Sequence, residues 1–206
     1  TLVVIGSWVA GANIFWTYVL WKREHPGERV PLATFSIIAN FVMWIIATLG
    51  VALEILLFLL PLSLGMVATT DPQVTRILFW FFGHPLVYFW LLPAYTAWYT
   101  MMPKQNGVTL FSDNLARLAF LMIMIFSIPI GVHHLYSDPG VSEFAKAAHA
   151  FLTFVVATPS LLTAFNIGAT LEKIGRKRGA TGRLGWMVKQ AWGDPSMAGM
   201  LVGMLI

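Results

Sequence analysis

Residues 33–61 read ATFSIIANFVMWIIATLGVALEILLFLLP, with Glu54 as the one charged residue in the stretch. Crossing a bilayer as a helix takes about 20 mostly apolar residues, so this run can span with length to spare. Working outward, comparable runs occupy about residues 1–20, 76–101, 115–135 and 146–171, and a sixth begins near Ser196. The expected fold is all-α: a polytopic transmembrane helix bundle of five full spans plus the start of a sixth, with residues 1–206 forming a single transmembrane domain. Composition points the same way. Of the 206 residues, 58% are apolar and 11% charged, where a soluble domain carries about 25% charged residues. Mean hydropathy is +0.74. A compact water-soluble domain is excluded, and so is a disordered chain, which needs low hydrophobicity and high charge. Cysteine is absent, which excludes disulfides, thiolate metal sites and thiol catalysis. A metal would have to be held by His, carboxylate or Tyr oxygen. The chain opens on Thr1 and an apolar run without a charged leader, which is no signal peptide; it reads as a segment of a longer protein.

The loops alternate in charge. Lys22, Arg23 and Arg29 follow the first span, and Lys104 follows the third. Lys173, Arg176, Lys177, Arg178, Arg183 and Lys189 follow the fifth, while 61–71 and 137–142 hold neither Lys nor Arg. The positive-inside rule then places loops one, three and five in the cytoplasm. The net charge of +4 follows from this bias and is no sign of a nucleic-acid partner. Trp16, Tyr18 and Trp21, and likewise Trp98 and Tyr99, fit aromatic belts at the lipid–water interface. Pro85, Pro93, Pro129 and Pro159 interrupt the spans, so the carbonyls they orphan must find protein or a polar cavity.

Five histidines are present. His25 lies in a loop and His149 in the first turns of the fifth span, and both read as structural. His84 sits near the outer end of span three, and His133 and His134 near the outer end of span four. Three imidazoles converging at that depth would suit copper, iron or zinc; three separately satisfied histidines are the alternative. Intramembrane ionisable groups are rare and usually functional. Adjacent helical residues point about 100° apart, so a shared metal requires a distorted backbone at His133 and His134, which Pro129 and Gly131 could supply. His84 and Tyr88, at i and i+4, lie on one face, where a phenol could give a proton and an electron together. Tyr88, Tyr95 and Tyr99 form a stripe on span three, and Thr153, Ser160 and Thr163 a matching one on span five. Hydroxyls both donate and accept, so the stripes suit either proton relay or plain interhelical hydrogen bonding. Glu54 could be a proton site, but a structural role near the outer interface is favoured. Trp80, one turn before His84, is expected to pack against the same region, with plain core packing as the alternative.

The motif Gly83-His84-Pro85-Leu86-Val87-Tyr88, with His133-His134 about fifty residues on, resembles subunit I of the haem-copper oxygen reductases (cytochrome oxidases). The resemblance extends through all the spans, within a larger subunit of the twelve-helix type. It implies that His84, His133 and His134 bind the active-site copper (CuB), with Tyr88 cross-linked to His84, and that Trp80 packs on the metal–haem site. It implies reduction of oxygen to water, with proton uptake and pumping, Tyr88 supplying the proton and electron for O–O cleavage. Leu86, where the A family usually has Glu, and the presence of Tyr88, which the C family lacks on this helix, resemble the B family. So do Tyr88-Phe-Trp-Leu-Leu-Pro-Ala-Tyr95-Thr-Ala-Trp-Tyr99 and Ala157-Thr158-Pro159-Ser160-Leu161-Leu162-Thr163-Ala164-Phe165.

In that family one proton channel uses positions matching Tyr95, Tyr99, Ser160 and Thr163, with Thr153 on the same face. Asn166 stands where a hydroxyl is often found, so the channel entrance is expected to differ. The resemblance further implies a high-spin and a low-spin haem whose axial ligands lie outside residues 1–206. It implies subunit II with its own copper centre, cytochrome c as electron donor, and the plasma membrane of a prokaryote as the location. A quinol oxidase and a nitric oxide reductase relative are the rivals among oxidoreductases. A metal or proton transporter is the rival from another class.

Overall fold

The computed structural model describes residues 2–181 and 193–205; Thr1 and the basic residues Arg183 and Lys189 lie outside the described residues. The described residues are helical, with no strand among them. Helix α1 is Leu2–Glu24 and α2 is Leu32–Glu54, which runs through a π turn (Ile55–Leu59) into the short α3 (Leu60–Ser63). Helix α4 is Pro72–Gln105, and α5, Asp113–Ser127, tightens into a 3-10 segment, Ile128–Leu135. Helix α6 is Glu143–Lys177, and α7 is Pro195–Leu205. Among the described residues, five helices are long and apolar enough to cross a membrane: Leu2–Glu24, Leu32–Ser63, Pro72–Gln105, Asp113–Leu135 and Glu143–Lys177. Each covers most of an expected span. Helix α7 starts one residue before the expected sixth run.

Local chemistry sets the helix starts. Asp71 caps α4 by accepting from Gln73 N–H (2.8 Å) and Val74 N–H (3.2 Å), with Pro72 in the first turn. Ser112 caps α5 through Leu115 N–H (3.2 Å), and Ser142 caps α6 through Ala145 N–H (3.2 Å). Such side chains satisfy donors that have no partner inside the helix.

In lipid, apolar surface does not discriminate between helix pairs, so close approach and polar bonds decide the packing. The α2–α4 pair shows both. A Cβ on Gly50 would lie 2.8 Å from the Leu78 carbonyl and 2.7 Å from the Phe81 ring, so only glycine permits this crossing. Thr96 Oγ1 donates to Ser36 Oγ (2.8 Å). Asn40 Nδ2 donates to the Phe89 carbonyl (3.2 Å), which is the carbonyl that Pro93, four residues on, cannot serve. Helix α1 has Gly11 as its buried residue. It is tied to α2 by Trp8 Nε1 donating to Thr48 Oγ1 and Trp44 Nε1 donating to Ser7 Oγ, both at 2.7 Å.

The core lies between α2, α4, α5 and α6, where Met43, Leu92, Tyr99, Phe120, Ile123 and Ile174 are almost fully buried. Tyr99, 2% exposed, is therefore in the bundle core and not in an interfacial belt. The reason is its hydroxyl, which has a partner on α6. Trp16, 61% exposed, lies on the outer surface of the bundle. At the basic end, one face of α6 holds the α4–α5 loop. Asn166, Thr170, Lys173 and Lys177 bond Ser112, Phe111, Thr109 and Gly107 in turn. Gly107 turns there at φ +61°, a conformation open to glycine at little cost.

Candidate metal centre and hydroxyl stripe

His84 is carried by α4, with Pro85 behind it, and His133 and His134 by the 3-10 segment. The expected backbone distortion is present over Ile128–Leu135, but it is a tightening. A 3-10 helix turns about 120° per residue, so it does not by itself bring adjacent rings together. They converge through their side-chain torsions, with ring centroids 4.4 Å apart. What the tight segment provides is approach to α4. A Cβ on Gly131 would lie 2.2 Å from the Trp80 carbonyl oxygen; with glycine there, the histidines reach His84.

Each of the three histidines offers a ring nitrogen within 4.8 Å of the others. His84 Nδ1 lies 3.1 Å from His134 Nε2. Imidazole nitrogens bind a metal such as zinc at about 2.0–2.1 Å, which sets two ligands of one ion about 3 Å apart. His133 Nδ1 is 2.8 Å from Thr153 Oγ1, whose single proton goes to the His149 carbonyl (2.7 Å). Thr153 therefore accepts from His133, leaving His133 Nε2 with the free lone pair. Trp80 stacks on His134 with centroids 3.8 Å apart and planes at 10°. The Tyr88 ring lies 5.1 Å from that of His84. His84 Nε2 is buried without a hydrogen-bond partner, which leaves Nδ1 as the His84 nitrogen that shares the cluster with His134. This donor set fits a borderline metal ion.

The two hydroxyl rows meet pairwise. Tyr95 Oη is 3.4 Å from Ser160 Oγ, and Tyr99 Oη donates to Thr163 Oγ1 at 2.8 Å. Tyr95, Ser160 and Thr163 line a cavity of about 320 Å³ between α4 and α6, large enough for several waters at about 30 Å³ each.

Over residues 1–204 the sequence matches the family described as Cytochrome C and Quinol oxidase polypeptide I. The chain belongs to this family. It is 45% identical, over 205 residues, to the cytochrome c oxidase subunit 1 of Thermus thermophilus, covering 100% of this chain and 36% of that protein. It is 33% identical, over 132 residues, to the quinol oxidase subunit 1 of Sulfolobus acidocaldarius, covering 63% of this chain and 22% of that protein. A solved structure, the cryo-EM structure of a heme-copper terminal oxidase dimer, is similar at a TM-score of 0.80 and 47% identity. That match covers 83% of this chain and 30% of the solved one. The matches thus span between about a fifth and about a third of the length of these relatives. The family is one of oxidoreductases that bind haem and copper, and this part of it is a multi-pass membrane bundle.

Within this oxidase polypeptide, the remaining expected residues fall as follows. Thr153 sits against His133, while Ser160 and Thr163 face tyrosines of α4. Glu54, 7% exposed, lies just before the π turn and has no ion pair among the described residues. His25 Nδ1 lies 2.9 Å from the Trp21 carbonyl, and His149 stands outside the three-histidine cluster. Sequence reasoning named Gly131 as a source of backbone distortion but missed its close approach to the α4 backbone. It also missed Arg76, paired at 3.1 Å with the buried Asp138, which ties the start of α4 to the loop after the histidine pair. An arginine and an aspartate at the two ends of outer-side loops were the available signal.

Proposed function

We propose that this chain is the copper-bearing part of a B-type haem-copper oxygen reductase subunit I, which reduces oxygen to water and couples this to proton uptake and pumping. The observation that carries the reading is the convergence of His84, His133 and His134 within 4.8 Å, on the family match. His84 through Nδ1, His134 through Nε2 and His133 through Nε2 would hold copper (CuB). Copper held there would supply electrons for oxygen reduction, together with a high-spin haem.

The protein's own residues do the rest. Thr153 fixes the His133 tautomer. Trp80 covers one face of His134 and excludes water from it. Tyr88, one turn from His84, brings an O–H proton to the edge of the cluster, and the unpartnered His84 Nε2 is left for the bond to Tyr88 that the resemblance implies. Tyr95 with Ser160, and Tyr99 with Thr163, pass protons from the side of the basic loops.

Leu86 and the α4 and α6 stretches support the B-type assignment. The relative named cytochrome c oxidase supports cytochrome c as donor, by way of a subunit II with its own copper centre. The relative named quinol oxidase favours quinol as the second reading. A low-spin haem, bound outside residues 1–206, would complete the electron path, and the Thermus relative supports a prokaryotic plasma membrane. Copper analysis of the complete subunit tests the site. Replacing His133 and His134 with Asn should abolish copper while haem stays, and normal copper would overturn the assignment. Oxidation of cytochrome c against quinol by the intact complex separates the donors.

A further inference from the structure

The hydroxyl row on α6 breaks after Thr163: the next hydroxyl, Thr170, is spent donating to the Asn166 carbonyl and accepting from Phe111 N–H, and the turn between them carries none. Asn166 stands there, fully buried. Its Oδ1 accepts from Ser112 N–H (3.0 Å) and its Nδ2 donates to the Ser112 carbonyl (2.8 Å). A carboxamide offers fixed N–H donors and a carbonyl acceptor, without the hydroxyl's ability to take one proton while giving another. With both of its ends committed to the loop backbone, Asn166 is a latch on the α4–α5 loop and interrupts the stripe along α6.

Tyr99 has a second flank. A cavity of about 400 Å³ under the α4–α5 loop is walled by Tyr99, Thr100, Lys104, Thr109 and Asp113, among others. Thr109 and Lys104 are exposed at the basic-loop surface. At about 30 Å³ per molecule, this space, open to the outside, has room for several waters, with the Thr100 and Thr109 hydroxyls beside it as partners. Tyr99 is common to this cavity and to the stripe. Its 2.8 Å bond to Thr163 joins the outer cavity to the inner one, lined by Tyr95, Ser160 and Thr163.

We propose that protons enter sideways, through the cavity under the α4–α5 loop and across Tyr99 into the stripe, while Asn166 seals the straight route along α6. The inference rests on the reading of the stripe as a proton path. Each transfer balances at Tyr99: its oxygen takes a proton from a cavity water as its own proton passes to Thr163, and the phenol is restored.

The test uses the complete oxidase in vesicles, with proton uptake followed by a pH-indicating dye and assembly checked by the haem spectrum and copper content. Thr100→Leu, which fills the cavity beside Tyr99, should slow proton uptake at least about 100-fold, the low end of what positioned proton-transfer groups contribute; Thr100→Ser should restore it. If Thr100→Leu takes up protons at the parent rate while Tyr99→Phe is slow, the sideways entry is wrong and the stripe stands. If Tyr99→Phe is also at the parent rate, the stripe reading fails and this proposal with it. A plug added after folding guards against a misassembled variant. Thr109→Cys gives a chain whose own sequence has no other cysteine. Labelling it with a bulky thiol reagent should slow uptake as Thr100→Leu does. Full labelling, shown by mass, with unchanged uptake would overturn the proposal.

Discussion

Replacing Gly131 with alanine should cost the protein its metal before it costs the fold. The new Cβ would sit 2.2 Å from the Trp80 carbonyl oxygen, 2.6 Å from its carbon and 3.1 Å from Phe81 N. All three are backbone atoms of α4, so no flexible side chain can swing aside. Ordinary C···O contacts begin at about 3.3 Å, which means the 3-10 segment and α4 must part by about 1 Å. Overpacking of this kind costs about 1–3 kcal/mol, tolerable in a bundle this size. The histidines are less forgiving, because His84 rides on α4 and His133 and His134 on the other wall, and metal–ligand distances tolerate only about 0.2 Å. We expect copper to bind about 10–100-fold more weakly, the loss typical when a ligand's supporting shell is disturbed. The assay is copper per haem in the purified complex after dialysis against graded chelator. Gly6→Ala, where a Cβ meets nothing within 4 Å, is the control. Parent-like copper retention in Gly131→Ala would refute the argument that the glycine contact sets the ligand spacing.

Thr153→Val keeps the shape but removes the acceptor of the His133 Nδ1 proton; copper affinity should fall about 10–100-fold, and a fall in proton uptake with copper affinity intact would return Thr153 to the relay. Asn40→Leu strands the Phe89 carbonyl and should destabilise the bundle by about 1–3 kcal/mol, measured by thermal inactivation of the complex; adding Pro93→Ala should recover most of that loss. Asp138→Asn leaves Arg76 without its 3.1 Å partner and should lower thermal stability more than Glu143→Gln, whose partner Lys146 lies in an exposed pair. Equal effects would place Asp138 among ordinary surface charges.

The spans were legible because lipid demands long apolar runs, and 33–61 could hardly be anything else. The histidine cluster was legible because its members are rare residues in such runs, and the motif around His84 is specific. What escaped was anything defined by contact rather than by residue type. Gly131 is one of 17 glycines, and nothing in its neighbours announces a backbone carbonyl 2.2 Å from its missing side chain. The split within the α6 row was hidden for a similar reason. Thr153, Ser160 and Thr163 share a face by spacing, yet the first serves a histidine and the others serve tyrosines, a division set by how α4 and the 3-10 segment lie against α6. Tyr99 misled in the opposite way: its place beside Trp98 at the end of a span looks interfacial until its hydroxyl is matched to Thr163.

Asn40 and Pro93 are fifty-three positions apart, on separate helices, and neither makes sense alone. Ribosomal synthesis delivers α2 first, so Asn40 enters the bilayer as a polar group in search of a bond. Helix α4 follows with a carbonyl that its own proline has left unserved. Lipid gives a helix pair no reason to prefer one alignment over the next turn along, and a slip of one turn would leave both groups stranded in hydrocarbon. The two residues therefore work as a key and its notch, fixing how far α4 slides along α2, and with it the depth at which His84 comes to rest.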